Sequence, residues 1–231
     1  MKSLKAVGLI VLSLVLFNVS LAQDENHENH EIMPYNITFT IAEEFQLYFK
    51  DLAEANGFLD LTSNEDTVVE MFAQESYRRV MESIQKQTAC NVLPIETLSG
   101  KVSYSDFGFP VGNRSKALRK SQAPYYLKLN ITLNARNVVD DYVSLNDKNT
   151  YQKRTMKAQI ILKVRFYGSD GEELFKSKAR AKASDWIRSD EFTILGAFTI
   201  KGQAEKSEES RIFHVLDEAI SNLEINIPAK L

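Results

Sequence analysis

Cysteine occurs once in this 231-residue sequence, at position 90, and histidine only three times, at 27, 30 and 214. A single cysteine excludes an intramolecular disulfide, so the fold has to hold by its core alone. Because two of the histidines lie near the N-terminus, a Ser-His or Cys-His catalytic pair would have to use His214. The nucleophile elbow Gly-x-Ser-x-Gly and the zinc helix His-Glu-x-x-His are both missing. Positive charge is not in excess either. The 28 Lys and Arg against 31 Asp and Glu give a formal net charge of −3, which argues against a nucleic-acid partner. No internal repeat, no low-complexity tract and no apolar run long enough to span a bilayer is found.

What is present starts at the N-terminus. Lys2 and Lys5 precede a short apolar run, Ala6 to Phe17, and Ser20 and Ala22 stand three and one positions before Gln23. That is the pattern of a cleaved export signal. Residues 1–22 are therefore expected to be a signal peptide, leaving an exported chain with no transmembrane span. No cysteine follows the cleavage point, so a lipid anchor of bacterial type is not expected. The signal takes two lysines and no acid with it, which moves the net charge from −3 to −5 and leaves about 209 residues. A hydrophobic fraction of 44%, with 13 Phe and 9 Tyr, points to a packed globule. An exported chain of this size without disulfides fits a bacterial periplasmic or secreted protein better than an animal one.

Residues 23–35 are polar and acidic without an apolar period and read as a flexible leader, with 36–231 as a single domain. Asn36 to Ile41 alternates and predicts a strand. Ala42 to Asn56 predicts a helix with Phe45, Tyr48, Phe49, Leu52 and Ala55 on one stripe, stopped by Gly57. Ser63 or Asn64 can cap a longer helix to about Thr88, with Val69, Phe72, Ala73, Val80 and Ile84 inside. Cys90 to Ile95 reads as a short buried strand ended by Pro94, where a buried Cys90 would be an inert thiol. Ser99 to Pro124 has no clear period and reads as a long loop with a basic run from Arg114 to Lys120; loops of that length are often functional. Residues 126–136, 157–167 and 172–183 all alternate with period two, and Gly168 to Gly171 is a hairpin turn. Phe192 to Ile200 reads as another strand, and Lys206 to Asn226 as a closing helix with Ile212, Val215, Leu216, Ala219, Ile220 and Leu223 inward.

Clean alternation means a sheet with one buried and one wet face. Helices have to cover the apolar side, and Ala179, Ala181 and Ala183 leave room for one to come close. The expected fold is α+β, a two-layer sandwich of a mainly antiparallel sheet with helices on one face.

The wet face carries the main candidate site. If the three strands are neighbours, Lys128, Arg136, Lys157, Lys163, Arg165, Lys176, Lys178, Arg180 and Lys182 project from one side with no acid among them. Like charges opposed across a sheet are unfavourable, so such a face needs either an anionic partner or nothing more than water and protection against edge aggregation. A second candidate is the set of loop aromatics Tyr104, Phe107 and Phe109, with Tyr125, Tyr126 and Trp186, which either line a groove or pin the loop down. His27 and His30 stand among carboxylates in the leader, but a flexible segment offers a metal no preformed geometry. The triplet Asp106-Phe107-Gly108 matches a kinase motif of which nothing else is present. No catalytic residue, metal site or cofactor is expected.

One order of elements has a parallel. A helix with Tyr77, Arg78, Arg79, Val80 and Ile84 runs into Asn91-Val92-Leu93-Pro94, then a variable loop, then the strand Tyr125-Tyr126-Leu127-Lys128-Leu129-Asn130-Ile131. Between Asp66 and Ala183 this layout resembles bacterial envelope accessory domains, such as the N-terminal domain of the translocation protein TolB and the lipoprotein activators of cell-wall synthases. With Ala22 before Gln23, the chain is also similar to uncharacterised secreted proteins of Bacteroidetes. The resemblance implies a non-catalytic, partner-binding role and carries over no functional residue. The expectation is thus an exported, non-enzymatic domain that binds an anionic envelope polymer or acidic protein surface through its basic sheet face. The alternatives are a hydrolase or small-molecule carrier with a pocket under the 99–124 loop, and a subunit whose basic face meets another copy.

Overall fold

Alternation in the sequence becomes alternation of burial in the computed structural model, which describes residues 30–46, 65–146, 149–188 and 211–226. The elements are β1 (Glu31–Ile41), α1 (Glu65–Thr88), β2 (Asn91–Val92), a 3-10 turn (Ile95–Leu98), β3 (Ser103–Tyr104), β4 (Pro110–Val111) and α2 (Arg114–Lys120). They continue with β5 (Tyr125–Asn146), β6 (Asn149–Gly168), β7 (Glu173–Lys182), β8 (Ile187–Arg188) and α3 (Arg211–Ser221). One sheet runs in the order β3-β4-β1-β5-β6-β7, with β2 also paired to β1 and β8 to β6. β1 is parallel to β5 and to β2, and every other pair is antiparallel. The fold is α+β, with a mainly antiparallel sheet, as the alternation predicts.

The apolar face is filled from both sides. Leu127, Leu129, Ile131 and Leu133 of β5, and Ala158, Ile160, Leu162, Val164 and Phe166 of β6, are at most 1% exposed. Against them pack Val69, Phe72, Ala73, Val80 and Ile84 of α1, all buried as the helical stripe requires. The ring of Phe39 meets Phe72 edge-on at 5.9 Å, and Phe72 lies 5.1 Å from Phe213, which joins β1, α1 and α3 in one aromatic chain. α3 lies against β6 and β7, where Ala179 and Ala181 are buried at 3% exposure and give the close approach expected of small residues. Arg79 fastens the two helices: it bonds Glu75 at 2.8 Å and Asp217 at 2.7 Å, and its guanidinium sits 4.5 Å over Phe213.

The two long helices share one face, but the other face is not bare. A second cluster of Met33, Tyr35, Leu98, Val102, Ala117, Ala123, Tyr126 and Tyr167 is buried on it at one end. Tyr126 belongs to this cluster while its chain neighbours Tyr125 and Leu127 belong to the first, so α2 and residues 98–104 cover the opposite side of the sheet.

Three expectations change. The leader does not extend to residue 35: Glu31 to Tyr35 are in β1, with Ile32 and Met33 at 0% and 2% exposure. The alternation fails there because burial is two-sided and because the pairing with β5 slips between Pro34 and Asn36. That bulge is where a central strand tolerates a proline, and it leaves Tyr35 as the extra residue. The 99–124 segment is not an open loop but contains β3, β4 and α2, with Asn113 capping α2 by accepting from the Ser115 N–H at 2.9 Å. The strand expected at 90–95 shrinks to Asn91–Val92, since Ile95 already opens the 3-10 turn. The signal peptide, the leader through residue 29 with His27, the helix beyond Gln46, Gly57, the caps Ser63 and Asn64, the strand at 192–200 and residues 206–210 lie outside the described residues.

Candidate functional site

β5, β6 and β7 are neighbours, and their registers set all nine predicted cations on the face opposite the main core. Lys128 stands opposite Arg165, which stands opposite Lys176; in the next row Asn130 faces Lys163, which faces Lys178. Further along, Thr132, Ile161 and Arg180 form a row, then Asn134, Gln159 and Lys182, and finally Arg136 and Lys157. Four contacts therefore oppose like charge directly, each costing up to about 1 kcal/mol. The opposite face repays this easily, because each buried Leu, Ile, Val or Phe side chain contributes about 1.5–3 kcal/mol. Lys163, Arg165, Lys176, Lys178, Arg180 and Lys182 are exposed, and Lys128, Arg136 and Lys157 are half-buried. Lys157 is committed locally, donating to the Ser184 carbonyl at 2.6 Å and lying 5.3 Å over the Trp186 ring.

One acid does reach this face. The β6–β7 register slips between Phe166 and Tyr167, which sets Glu173 opposite Tyr167. Its carboxylate lies 3.4 Å from Arg165 and 3.9 Å from Lys176. Sequence alone places no acid among the cations; a bulge, which shifts facing by one residue, is invisible to a period-two reading.

At this same end the face deepens into a cleft of about 380 Å³, walled by the start of α2 and floored by β1, β5 and β6. Tyr35, Lys128 and Tyr167 line it from the sheet, and Arg114 and Ser115 from α2. The Arg114 guanidinium is stacked 4.8 Å over the Tyr167 ring. The Tyr35 and Tyr167 rings meet edge-on at 6.1 Å, and Arg165 interacts electrostatically with Tyr167. Burial, followed by the neighbouring Tyr167 hydroxyl, holds the Tyr35 phenol well above its ordinary pKa, so it stays a neutral donor. Gly112 makes the wall possible: a β-carbon there would stand 2.6 Å from the Tyr35 carbonyl oxygen, to which the Gly112 N–H now donates at 2.8 Å. Of the residues that line the cleft the basic-face prediction included Lys128. It missed Tyr35, Arg114 and Tyr167, which only the folded chain brings together.

The loop aromatics are fastenings. Phe109 is fully buried with its ring 5.3 Å from Tyr77, Phe107 packs 5.5 Å from Phe39, and the Tyr104 hydroxyl donates to the Ile95 carbonyl at 2.6 Å. Tyr125 and Tyr126 are buried as well, and Trp186 is 40% exposed. The Asp106-Phe107-Gly108 triplet forms the β3–β4 turn, with Gly108 at φ 73°. His214 faces solvent on α3 rather than the apolar side. Cys90 is buried and its thiol donates to the Thr88 carbonyl at 3.4 Å. A larger groove of about 710 Å³ runs between α1 and residues 92–96, lined by Tyr77, Met81, Leu93 and Pro94 among others.

No protein-family model matches the chain, and no curated protein matches it. Among solved structures it is similar to a hypothetical protein from Chlamydia trachomatis, with a TM-score of 0.38 and 8% identity over 83% of this chain and 91% of that one. It is also similar to a homolog of a neuraminyllactose-binding hemagglutinin from Helicobacter pylori, with a TM-score of 0.35 and 9% identity over 86% and 80% of the two chains. A lipoprotein from Neisseria meningitidis follows, with a TM-score of 0.30 and 13% identity over 66% and 82%. Neither the scores nor the identities place the chain in a family. Among the described residues no helix is long and apolar enough to cross a membrane.

Proposed function

We propose that this chain is an exported, non-enzymatic protein of the bacterial envelope or periplasm that binds an anionic envelope polymer through the cationic face of β5, β6 and β7. The observation that carries the reading is the register: Lys128, Arg165 and Lys176 in one row and Lys163 and Lys178 in the next oppose like charge directly. Cations on one face recur about every 6.8 Å along a strand and about every 4.8 Å across strands. A regular flat lattice of that kind suits a repeating polyanion better than the irregular relief of a folded acidic protein. The N-terminal export pattern supplies the compartment.

The test is retention from a detergent-free envelope extract at low salt, with the native chain compared against a Lys163, Arg165, Lys178, Arg180 to Glu variant. The expected result is a polyanion held by the native chain, lost by the variant and eluted steeply by salt. Identical eluates would remove the reading.

The groove along α1 favours a second reading, a carrier of a small apolar molecule, since its lining includes Met71, Tyr77, Met81 and Leu93. A carrier would gain thermal stability from its ligand without dependence on salt.

A further inference from the structure

The cleft at the α2 end of the cationic face differs in kind from the rest of that face. Elsewhere the cations stand on a pleated surface, Lys163, Lys178, Arg180 and Lys182 projecting into water. Here Arg114 and Lys128, from two separate elements, line one cavity together with the buried side chains of Tyr35 and Tyr167, and no acid lines it.

An irregularity in β1 builds it. The bulge in β1 puts Tyr35 and Asn36 on the same side of the sheet, so both contribute to the cleft where a regular strand would send one to the core. The Asn36 amide is used up, donating to the Gly112 carbonyl at 3.0 Å, which leaves Tyr35 to face the cavity. On the far side, the bulge between β6 and β7 sets Glu173 beside Arg165, at 3.4 Å, outside the cleft lining. That contact pairs Arg165 with an acid beside the cleft. The stacking of Arg114 on Tyr167 fixes a side chain that would otherwise be free on the surface.

We infer that this cleft is a binding site for a phosphate ester, held by Arg114 and Lys128 with the hydroxyls of Tyr35 and Ser115 as neutral donors. The inference rests on the anion-binding reading of the face and narrows it to one position and one chemistry. Two converging cations suit a tetrahedral oxyanion that can carry two charges, and the guanidinium fork matches its oxygens in pairs. A volume of about 380 Å³ is much more than a bare phosphate fills. It leaves room for the glycerol or sugar to which the phosphate is attached. Such a group comes from a phosphodiester-linked polymer, a phospholipid head group or a free metabolite.

The experiment is titration calorimetry of the full chain with inorganic phosphate, with glycerol 3-phosphate and with acetate, together with co-sedimentation on vesicles of phosphatidylcholine with and without phosphatidylglycerol. The variants are Arg114→Gln, Tyr35→Phe and, away from the cleft, the pair Lys178→Gln with Arg180→Gln. Glycerol 3-phosphate is expected to bind more tightly than phosphate, and acetate not at all. Arg114→Gln is expected to weaken it about tenfold or more, and Tyr35→Phe about threefold, with the distant pair within about twofold. Both cleft variants change groups whose loss leaves the backbone and core volume intact, and a thermal melt checks that. Vesicle binding that needs phosphatidylglycerol and Arg114 assigns the head group as the source; soluble binding without it assigns the polymer unit or metabolite. Equal loss in the cleft and distant variants would overturn the site while leaving the cationic face as a diffuse binder. Polyanion retention with no affinity for either phosphate compound would also overturn it, and absence of both would overturn the face reading as well.

Discussion

Leu162 and Lys163 are consecutive on β6, yet one is fully buried among helices and the other is exposed opposite Lys178. The same strands thus have one face on which neighbours attract through the loss of water and one on which neighbours repel. The first face is dictated by folding, because it supplies the stabilisation that the second lacks. Nothing in the fold demands the second. A polar sheet face is ordinarily built from mixed charges and hydroxyls, so concentrating one sign there is the feature that asks for a functional cause. The helix side of the molecule makes the contrast sharper. Charges there are matched, with Glu75, Arg78, Arg79, Glu82 and Asp217 joined in one network.

That contrast can be broken by paired substitutions. Leu162→Ala is expected to lower stability by about 2–5 kcal/mol in urea unfolding, while Lys163→Ala stays within about 0.5 kcal/mol; similar values for both would erase the distinction between the faces. Where the polar face is covered, Gly112→Ala forces a β-carbon against the Tyr35 carbonyl and is expected to cost about 1–3 kcal/mol. It should also displace α2 and with it Arg114.

Acid should act on the helix side. Hydrogen bonds from Arg78, and to a lesser degree from Arg79, hold the Glu75 carboxyl below its usual pKa, against an opposing contribution from burial. A carboxylate with a lowered folded pKa contributes its stability above the unfolded value, near 4.3, and loses it as pH falls through the folded one. Glu75→Gln is therefore expected to cost about 1 kcal/mol at pH 7 and nothing well below pH 4, flattening the acid limb of a stability curve. The smallest effect has the opposite sign. Lys178→Glu faces Lys163 and is expected to raise stability by about 0.5 kcal/mol while weakening polyanion retention. A gain in stability with unchanged retention would mean that the cations serve solvation alone.

The strands and long helices were legible because their periods are clean. From Leu127 to Asn134, Ala158 to Arg165 and Ala179 to Lys182 each buried residue is followed by a less buried one, and in α1 Val69, Phe72, Ala73, Val80 and Ile84 fall on one stripe. What escaped was wherever burial is two-sided or pairing slips. Ile32, Met33, Pro34 and Tyr35 are all buried, on two different faces, so the start of β1 looks aperiodic. α2 carries only Ala117 and Leu118 as apolar residues among its seven, and its basic composition hides a helix whose small inner face suffices for a short contact. The cationic face could be listed from sequence because its members share a period. The cleft could not, because Tyr35, Arg114, Lys128 and Tyr167 share none and meet only through the bulge in β1 and one close glycine contact.

The connectivity of β1 has a kinetic consequence. Its sheet neighbours β4 and β5 both come later in the chain, and its parallel pairing sets Ile32 against Tyr125, with α1 and α2 between them. The β5–β6–β7 meander closes through short local connections, whereas β1 can dock only after a long loop has closed, which is the slower kind of event. On any route that delivers the N-terminus first, the strand bearing Ile32, Ile37 and Phe39 emerges with no sheet to join. Such a strand is prone to pair with other chains until Tyr125 to Leu133 arrive.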